Sequence, residues 1–133
     1  MAALIGVLVV DDSLTIRAML ETVFARERDM KVLGNAASAD EAQRMIQDFR
    51  PTVVVLDIAM PGVDGLTLLD RLVKERRLQV VMLSSHIEAA EDALDRGAVG
   101  FFDKRRILSD AKGLVKLIRR AADGHVARSP LLS

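Results

Sequence analysis

The sequence predicts an α/β fold in three layers: a five-stranded parallel sheet with helices on both faces. Three observations predict it. Strand-length runs of Val, Leu and Ile recur without polar alternation, as in strands buried on both faces. Stretches with apolar residues at 3.6-residue spacing lie between those runs. The two patterns alternate five times, which is the signature of repeated βα units.

The first strand reads over 4–10 and stops at Asp11-Asp12. Ile16, Met19, Leu20, Val23 and Phe24 then make one helical face. A weaker strand over 31–36 carries Gly34, which suits an edge. Ser38 with Glu41 forms a capping box for a helix bearing Ala42, Met45, Ile46 and Phe49. The run Val53-Val54-Val55-Leu56 closes at Asp57. Asp64 can cap a third helix carrying Leu68, Leu69, Leu72 and Val73. Val80-Val81-Met82-Leu83 precedes Ser84, and a short alanine-rich helix follows around 87–95. A second weak strand at 98–103 contains Gly100 and leads to Lys104. Ser109 is the expected cap of a fifth helix with Leu114, Leu117, Ile118 and Ala121. Right-handed crossovers, with strong strands central and weak ones at the edges, give strand order 2-1-3-4-5, the flavodoxin-like arrangement.

The chain has 133 residues, half of them hydrophobic, enough for one domain with one packed core. Residues 1–124 are expected to form that domain, followed by a short, poorly ordered tail at 125–133 containing Pro130. Nineteen basic residues balance nineteen acidic ones, so net charge points to neither nucleic acid nor an anionic membrane. With no cysteine, disulfide and thiol chemistry are excluded; His86 and His125 alone do not make a structural zinc site. The longest apolar run is too short to span a bilayer and lacks the basic start of a signal peptide, so a cytoplasmic protein is expected.

In such a sheet, ligands bind outside the carboxyl ends of the strands, at the switch point between strands 1 and 3. Asp11, Asp12 and Asp57 end those two strands. Crowded carboxylates repel and raise a pKa unless a cation intervenes, and Mg²⁺ suits a few carboxylates with waters and phosphate oxygens. Asp57 is the most central, hence the expected nucleophile toward a phosphoryl group. Mg²⁺ and Lys104 would neutralise the transition state, and Ser84 would donate a hydrogen bond to a phosphate oxygen. Taken singly, each residue has a plainer reading: a helix cap for Asp12 or Ser13, a solvated lysine, a turn hydroxyl. Four strand ends carrying compatible chemistry favour the joint reading.

These residues also carry a resemblance. Val-Leu-Val-Val-Asp-Asp-Ser at 7–13 and Val-Val-Leu-Asp-Ile-Ala-Met-Pro-Gly-Val-Asp-Gly at 54–65 resemble the opening and the phosphoacceptor segment of response-regulator receiver domains. Val-Val-Met-Leu-Ser-Ser at 80–85 and Gly-Ala-Val-Gly-Phe-Phe-Asp-Lys at 97–104 resemble their switch strands. The resemblance covers about residues 4–123. It implies phosphotransfer from a histidine kinase to Asp57, with Mg²⁺ held by Asp11 or Asp12, Asp57 and the backbone carbonyl of Ala59. It implies that Ser84 and the aromatic position, here Phe101, move on phosphorylation. A phosphorylation-dependent dimer through the fourth helix, fifth strand and fifth helix is a further implication. Phe101 lacks the hydroxyl of the tyrosine common at its position, and a plain core aromatic fits it equally well. Proline often follows the lysine in the family, commonly after a cis bond; here Arg105 follows, and a trans bond with Arg105 turned to solvent is expected.

The expected function is a stand-alone receiver, not an enzyme, whose output is contact with a downstream protein rather than nucleic acid or membrane. The alternatives are the receiver of a larger helix-turn-helix regulator, a small phosphatase or phosphotransferase using an aspartyl-phosphate, and a non-phosphorylated scaffold. Lys104, Arg105, Arg106, Lys112, Lys116, Arg119 and Arg120 cluster late in the chain and read as a solvated helix face. His86 reads as an exposed loop residue.

Overall fold

The computed structural model describes residues 4–124 apart from 61, 63 and 75–77; the expected tail at 125–133 lies outside the described residues. Five strands, β1 (Ile5–Val10), β2 (Met30–Ala36), β3 (Val53–Asp57), β4 (Gln79–Ser84) and β5 (Gly100–Asp103), alternate with α1 (Leu14–Ala25), α2 (Ala39–Phe49), α3 (Gly65–Leu72), α4 (Ala90–Asp95) and α5 (Ala111–Ala122). All four strand pairings are parallel, in the order β2-β1-β3-β4-β5. This is the expected three-layer, flavodoxin-like architecture, with the two weak strands at the edges.

Successive strand residues face opposite layers. Val7, Val9, Val53, Val55, Val81 and Leu83 pack against Leu20, Val23 and Phe24 of α1 and Leu114, Leu117 and Ile118 of α5. Leu8, Val10, Val54, Leu56, Val80 and Met82 pack with Ala42 of α2, Leu68, Leu69 and Leu72 of α3, and Ala90 and Ala93 of α4. Each large side chain so buried contributes about 1.5–3 kcal/mol. The uninterrupted valine runs are therefore two cores written in one strand.

Several helix ends follow the sequence. The Ser13 hydroxyl accepts from the Ile16 amide, Ser38 from Glu41, and Asp64 from Thr67. Three details differ. The cap of α5 is Asp110, which accepts from the Gly113 amide, and not Ser109. A carboxylate one residue later matches the start of the helix at Ala111, and Arg106 holds it by an ion pair. The fourth helix opens as a 3-10 turn at Ile87–Ala89 before α4. Phe49, expected on the packed face of α2, is 47% exposed. Its ring covers Gly34 at the sheet edge, and among the described residues no strand beyond β2 remains to bury its other face.

The late basic cluster is largely occupied within the chain. Arg105 pairs with Asp103, Arg106 with Asp110, and Arg119 with Glu27 and Asp29. Hydrogen bonding to Arg119 holds the Asp29 carboxyl below its ordinary range. Lys112, Lys116 and Arg120 are exposed on α5. The expected solvated face is accordingly laced with ion pairs, and no helix among the described residues is long and apolar enough to cross a membrane.

The close approach that fixes the site is at Gly65, where α3 begins. Its amide donates to the Ile58 carbonyl at 2.7 Å. A Cβ there would lie 2.1 Å from the Asp57 carbonyl oxygen and 2.6 Å from the Ile58 Cα, and those backbone atoms cannot swing aside as a side chain can. Gly65→Ala is expected to destabilise the fold by roughly 1–3 kcal/mol in urea unfolding. A loss below about 0.5 kcal/mol would show that α3 shifts freely at its N-terminus.

Candidate functional site

The carboxyl ends of β1, β3, β4 and β5 meet at one end of the sheet. There, among the described residues, stand the three buried polar or charged side chains: Asp11, Asp57 and Ser84, at 0%, 2% and 4% exposure. Burying unpaired charge is costly, so an apolar sheet ending in such a group requires compensation. Lys104, immediately after β5, supplies part of it. Its Nζ lies 2.9 Å from Asp11 Oδ2 and 3.1 Å from Asp57 Oδ2.

Hydrogen bonding completes the partners only on one side of each carboxylate. Asp11 Oδ1 accepts from the Ser13 amide at 2.8 Å, and Asp57 Oδ1 from the Ala59 amide at 3.2 Å. Asp11 Oδ2 and Asp57 Oδ2 are buried and accept no well-directed hydrogen bond; they touch Lys104 in distance but at poor angles. Asp12 is exposed, and one oxygen from each of Asp11, Asp12 and Asp57 falls within a 4.8 Å cluster. Hard oxygen donors with two orphaned buried atoms fit a metal ion, so these residues could hold one.

The electrostatics follow from that geometry. Burial, reinforced by the neighbouring Asp11 charge, pushes the Asp57 carboxyl up to about 6 against the opposing pull of Lys104. Burial also disfavours the Lys104 ammonium, but its close contact with the Asp11 and Asp57 charges outweighs it and holds its pKa above the ordinary range. Lys104 therefore stays charged wherever the carboxylates are charged.

The remaining sequence-predicted residues divide. The Ser84 hydroxyl accepts from the His86 amide at 2.9 Å, which leaves its own proton available to an oxygen in the pocket. Ser84 pairs with Asp103 across the β4–β5 ladder, which places it at the rim. Phe101 is 1% exposed and packs in the layer of α2, α3 and α4. His86 is exposed and lies 3.5 Å from Glu88. The peptide after Lys104 is trans, no cis bond occurring among the described residues, and Arg105 is exposed as expected. It is nonetheless not free for a partner, because Asp103 binds it.

Two contributors were not assigned a role in the sequence. Arg17 on α1 donates to the Asp11 carbonyl at 2.7 Å and to Asn35 Oδ1 at 3.0 Å, bracing the end of β1 against β2. Asp103 caps the 3-10 turn that begins at Lys104. An arginine seven residues past a strand, or an acid before a lysine, is too common to carry a signal alone.

A family model for the response regulator receiver domain matches residues 7–119. The chain is 47% identical over 107 residues to protein-glutamate methylesterase/protein-glutamine glutaminase 2 of Shewanella oneidensis, covering 77% of this chain and 30% of that protein. It is 39% identical to the corresponding enzyme 1 of Albidiferax ferrireducens, covering 95% of this chain and 36% of that protein. The response regulator domain of Thermotoga maritima CheB superposes with a TM-score of 0.79 at 33% identity, over 90% of this chain and 97% of that one. The chain thus spans about a third of the length of the curated relatives it matches. Their names overturn the expectation that the chain is not an enzyme, since they are those of a methylesterase and glutaminase. The matched segment carries no mark of that hydrolytic activity; the enzyme alternative the sequence suggested was an aspartyl-phosphate phosphatase or phosphotransferase.

The raised Asp57 carboxyl has a consequence for stability. Its folded pKa of about 6 exceeds the ordinary 3.8, so the folded state holds the proton more tightly. The stabilisation is fully present below about pH 4 and is lost as pH rises through about 6. In chelator-containing buffer, Asp57→Asn should therefore raise unfolding stability near pH 7.5 by roughly 2–3 kcal/mol, with the gap closing toward pH 4. A gap independent of pH in paired thermal melts would contradict this account of the site.

Proposed function

The chain belongs to the response regulator receiver domain family, and we propose that it accepts a phosphoryl group on Asp57 from a phosphohistidine of a sensor histidine kinase. One observation carries the assignment: among the described residues, the buried charged side chains are Asp11 and Asp57, and Asp57 ends the central strand. With a pKa of about 6, Asp57 is largely ionised at neutral pH and available as a nucleophile. One carboxylate oxygen attacks phosphorus. A P–O bond forms, the P–N bond breaks, and the departing imidazole keeps the electron pair and takes up a proton.

The residues of this chain orient that exchange. Asp11, Asp12, Asp57 and the Ala59 carbonyl would hold Mg²⁺. When bound, Mg²⁺ supplies positive charge against the phosphoryl oxygens. Lys104 keeps an ammonium at the pocket, and Ser84 offers a proton to a phosphoryl oxygen. The Ala59 amide fixes one Asp57 oxygen, which aims the other into the pocket.

Receiver domains work between kinases and downstream effectors. A shallow apolar groove lined by Leu14, Thr15, Ala18, Met19, Thr22 and Leu108 flanks the segments that carry Asp12 and Lys104. Leu14 and Leu108 are 72% and 66% exposed, which supports a protein donor at this face. The output is a change in the α4–β5–α5 face, reached when Ser84 moves toward the phosphoryl group and Phe101 repacks; the phosphorylated state must favour one of two packings. A dimer through that face is one form such output takes. The names of the relatives favour a response at the level of protein glutamate ester or glutamine amide hydrolysis, and a cytoplasmic location accords with both partners.

Acetyl phosphate with Mg²⁺ should label Asp57 as an acyl phosphate, mapped by mass spectrometry. Asp57→Asn should lose the label, Lys104→Ala should lower its rate, and Asp12→Asn should weaken Mg²⁺ binding. Undiminished labelling of Asp57→Asn overturns the phosphoacceptor assignment. Beryllofluoride should shift amide signals from Ser84 through Phe101 into α4; shifts confined to the pocket rule out the switched face.

A further inference from the structure

We propose that Asp103 and Arg105 form a clasp across Lys104 that positions its ammonium on the carboxylate pocket. The inference rests on the reading of Asp57 as phosphoacceptor. A lysine side chain has four flexible carbons and loses much rotamer freedom when held, so where its ammonium sits depends on how firmly its backbone is held. Lys104 is the first residue of the 3-10 turn Lys104–Arg106, and that turn is capped by the residue before it.

The clasp is specific. Asp103 Oδ1 accepts from the Arg105 backbone amide at 2.9 Å and from Arg105 Nε at 3.0 Å. Asp103 Oδ2 accepts from Arg105 Nη2 at 2.9 Å. One carboxylate thus gathers three N–H groups of a single residue, and the residue spanned is Lys104. Asp103 is anchored in turn: it ends β5, pairs with Ser84 across the ladder, and its side chain is only 14% exposed. Beyond the turn, the Asp110 amide donates to the Arg106 carbonyl and the Arg106 side chain pairs with Asp110, which caps α5. The turn is therefore fixed at both ends, by β5 through Asp103 and by α5 through Asp110.

The pair does little for the fold itself. Arg105 is 67% exposed, and ion pairs with one partner in solvent contribute little to stability. What the clasp restricts is the backbone between two strong anchors, and misplacing a group near reacting atoms is costly even when the fold is intact. Asp103 and Arg105 act through Lys104 and are positioning residues.

The test is a double-mutant cycle on the full chain, read as the rate of Asp57 labelling by acetyl phosphate at saturating Mg²⁺. Asp103→Ala removes every contact of the clasp and should slow labelling about tenfold. Arg105→Ala keeps the backbone amide on Asp103 and should slow it by only about threefold. The double variant should be no slower than Asp103→Ala, because Arg105 works through Asp103. Asp103→Asn retains an oxygen acceptor for the Arg105 amide and should recover part of the rate. The ¹⁵N signal of Lys104 Nζ should shift in Asp103→Ala while Mg²⁺ affinity and melting temperature stay near wild type. Labelling of Asp103→Ala within twofold of wild type, additive losses in the double variant, or an unmoved Lys104 signal overturns the clasp. Failure of the wild-type chain to label overturns the phosphoacceptor reading instead, and the Lys104 signal still reports on the clasp.

Discussion

Asp11 and Asp57 are buried beside one another at the end of a sheet made otherwise of valine and leucine, with Lys104 in contact with both. Much else in the molecule serves that arrangement. Without the lysine, two carboxylates out of water would drive one of them to protonate, and a neutral Asp57 is a poor nucleophile. With it, Asp57 is raised only to about 6 and remains mostly ionised near neutrality. The proposed phosphoryl transfer would need that charge.

The layers around the sheet are what make the charge expensive and the pocket narrow. Both faces of β1, β3 and β4 are covered by apolar side chains, which raises the cost of charge at their ends. Access is left at the strand ends, where Asp12 is exposed and the apolar surface of α1 begins. Gly65 lets α3 start directly beside Asp57, and Arg17 ties the carbonyl of Asp11 to α1 and β2. The backbone around each carboxylate is thereby held from a different helix.

The turn after β5 shows how a loop can reach the same end by different means. Where the family often places proline after the lysine, this chain has arginine, and the restraint is supplied by hydrogen bonds from a neighbouring carboxylate. Such a restraint is polar, exposed and breakable, unlike a ring. The same loop also leads to Leu108, which lines the apolar groove on α1.

The sequence by itself determined the architecture and the chemistry at the strand ends. Unalternating valine runs demand burial on both faces, and handed crossovers then leave few strand orders, so the strand ends carrying Asp11, Asp57, Ser84 and Lys104 fall at one end of the sheet. Only the tertiary structure decided how these groups divide the work. Asp11 and Asp12 are identical neighbours in the chain, yet Asp11 is buried against Lys104 while Asp12 is exposed and reaches the same cluster with one oxygen from the solvent side. The cap at Asp110 rather than Ser109, the half-bare Phe49 at the sheet edge and the hold of Asp103 on Arg105 depend on contacts set by where helices land, to within a residue or a few tenths of an ångström. Local pattern fixes which face an element buries; it does not fix the positions along that face, and those are chosen by packing between segments distant in sequence.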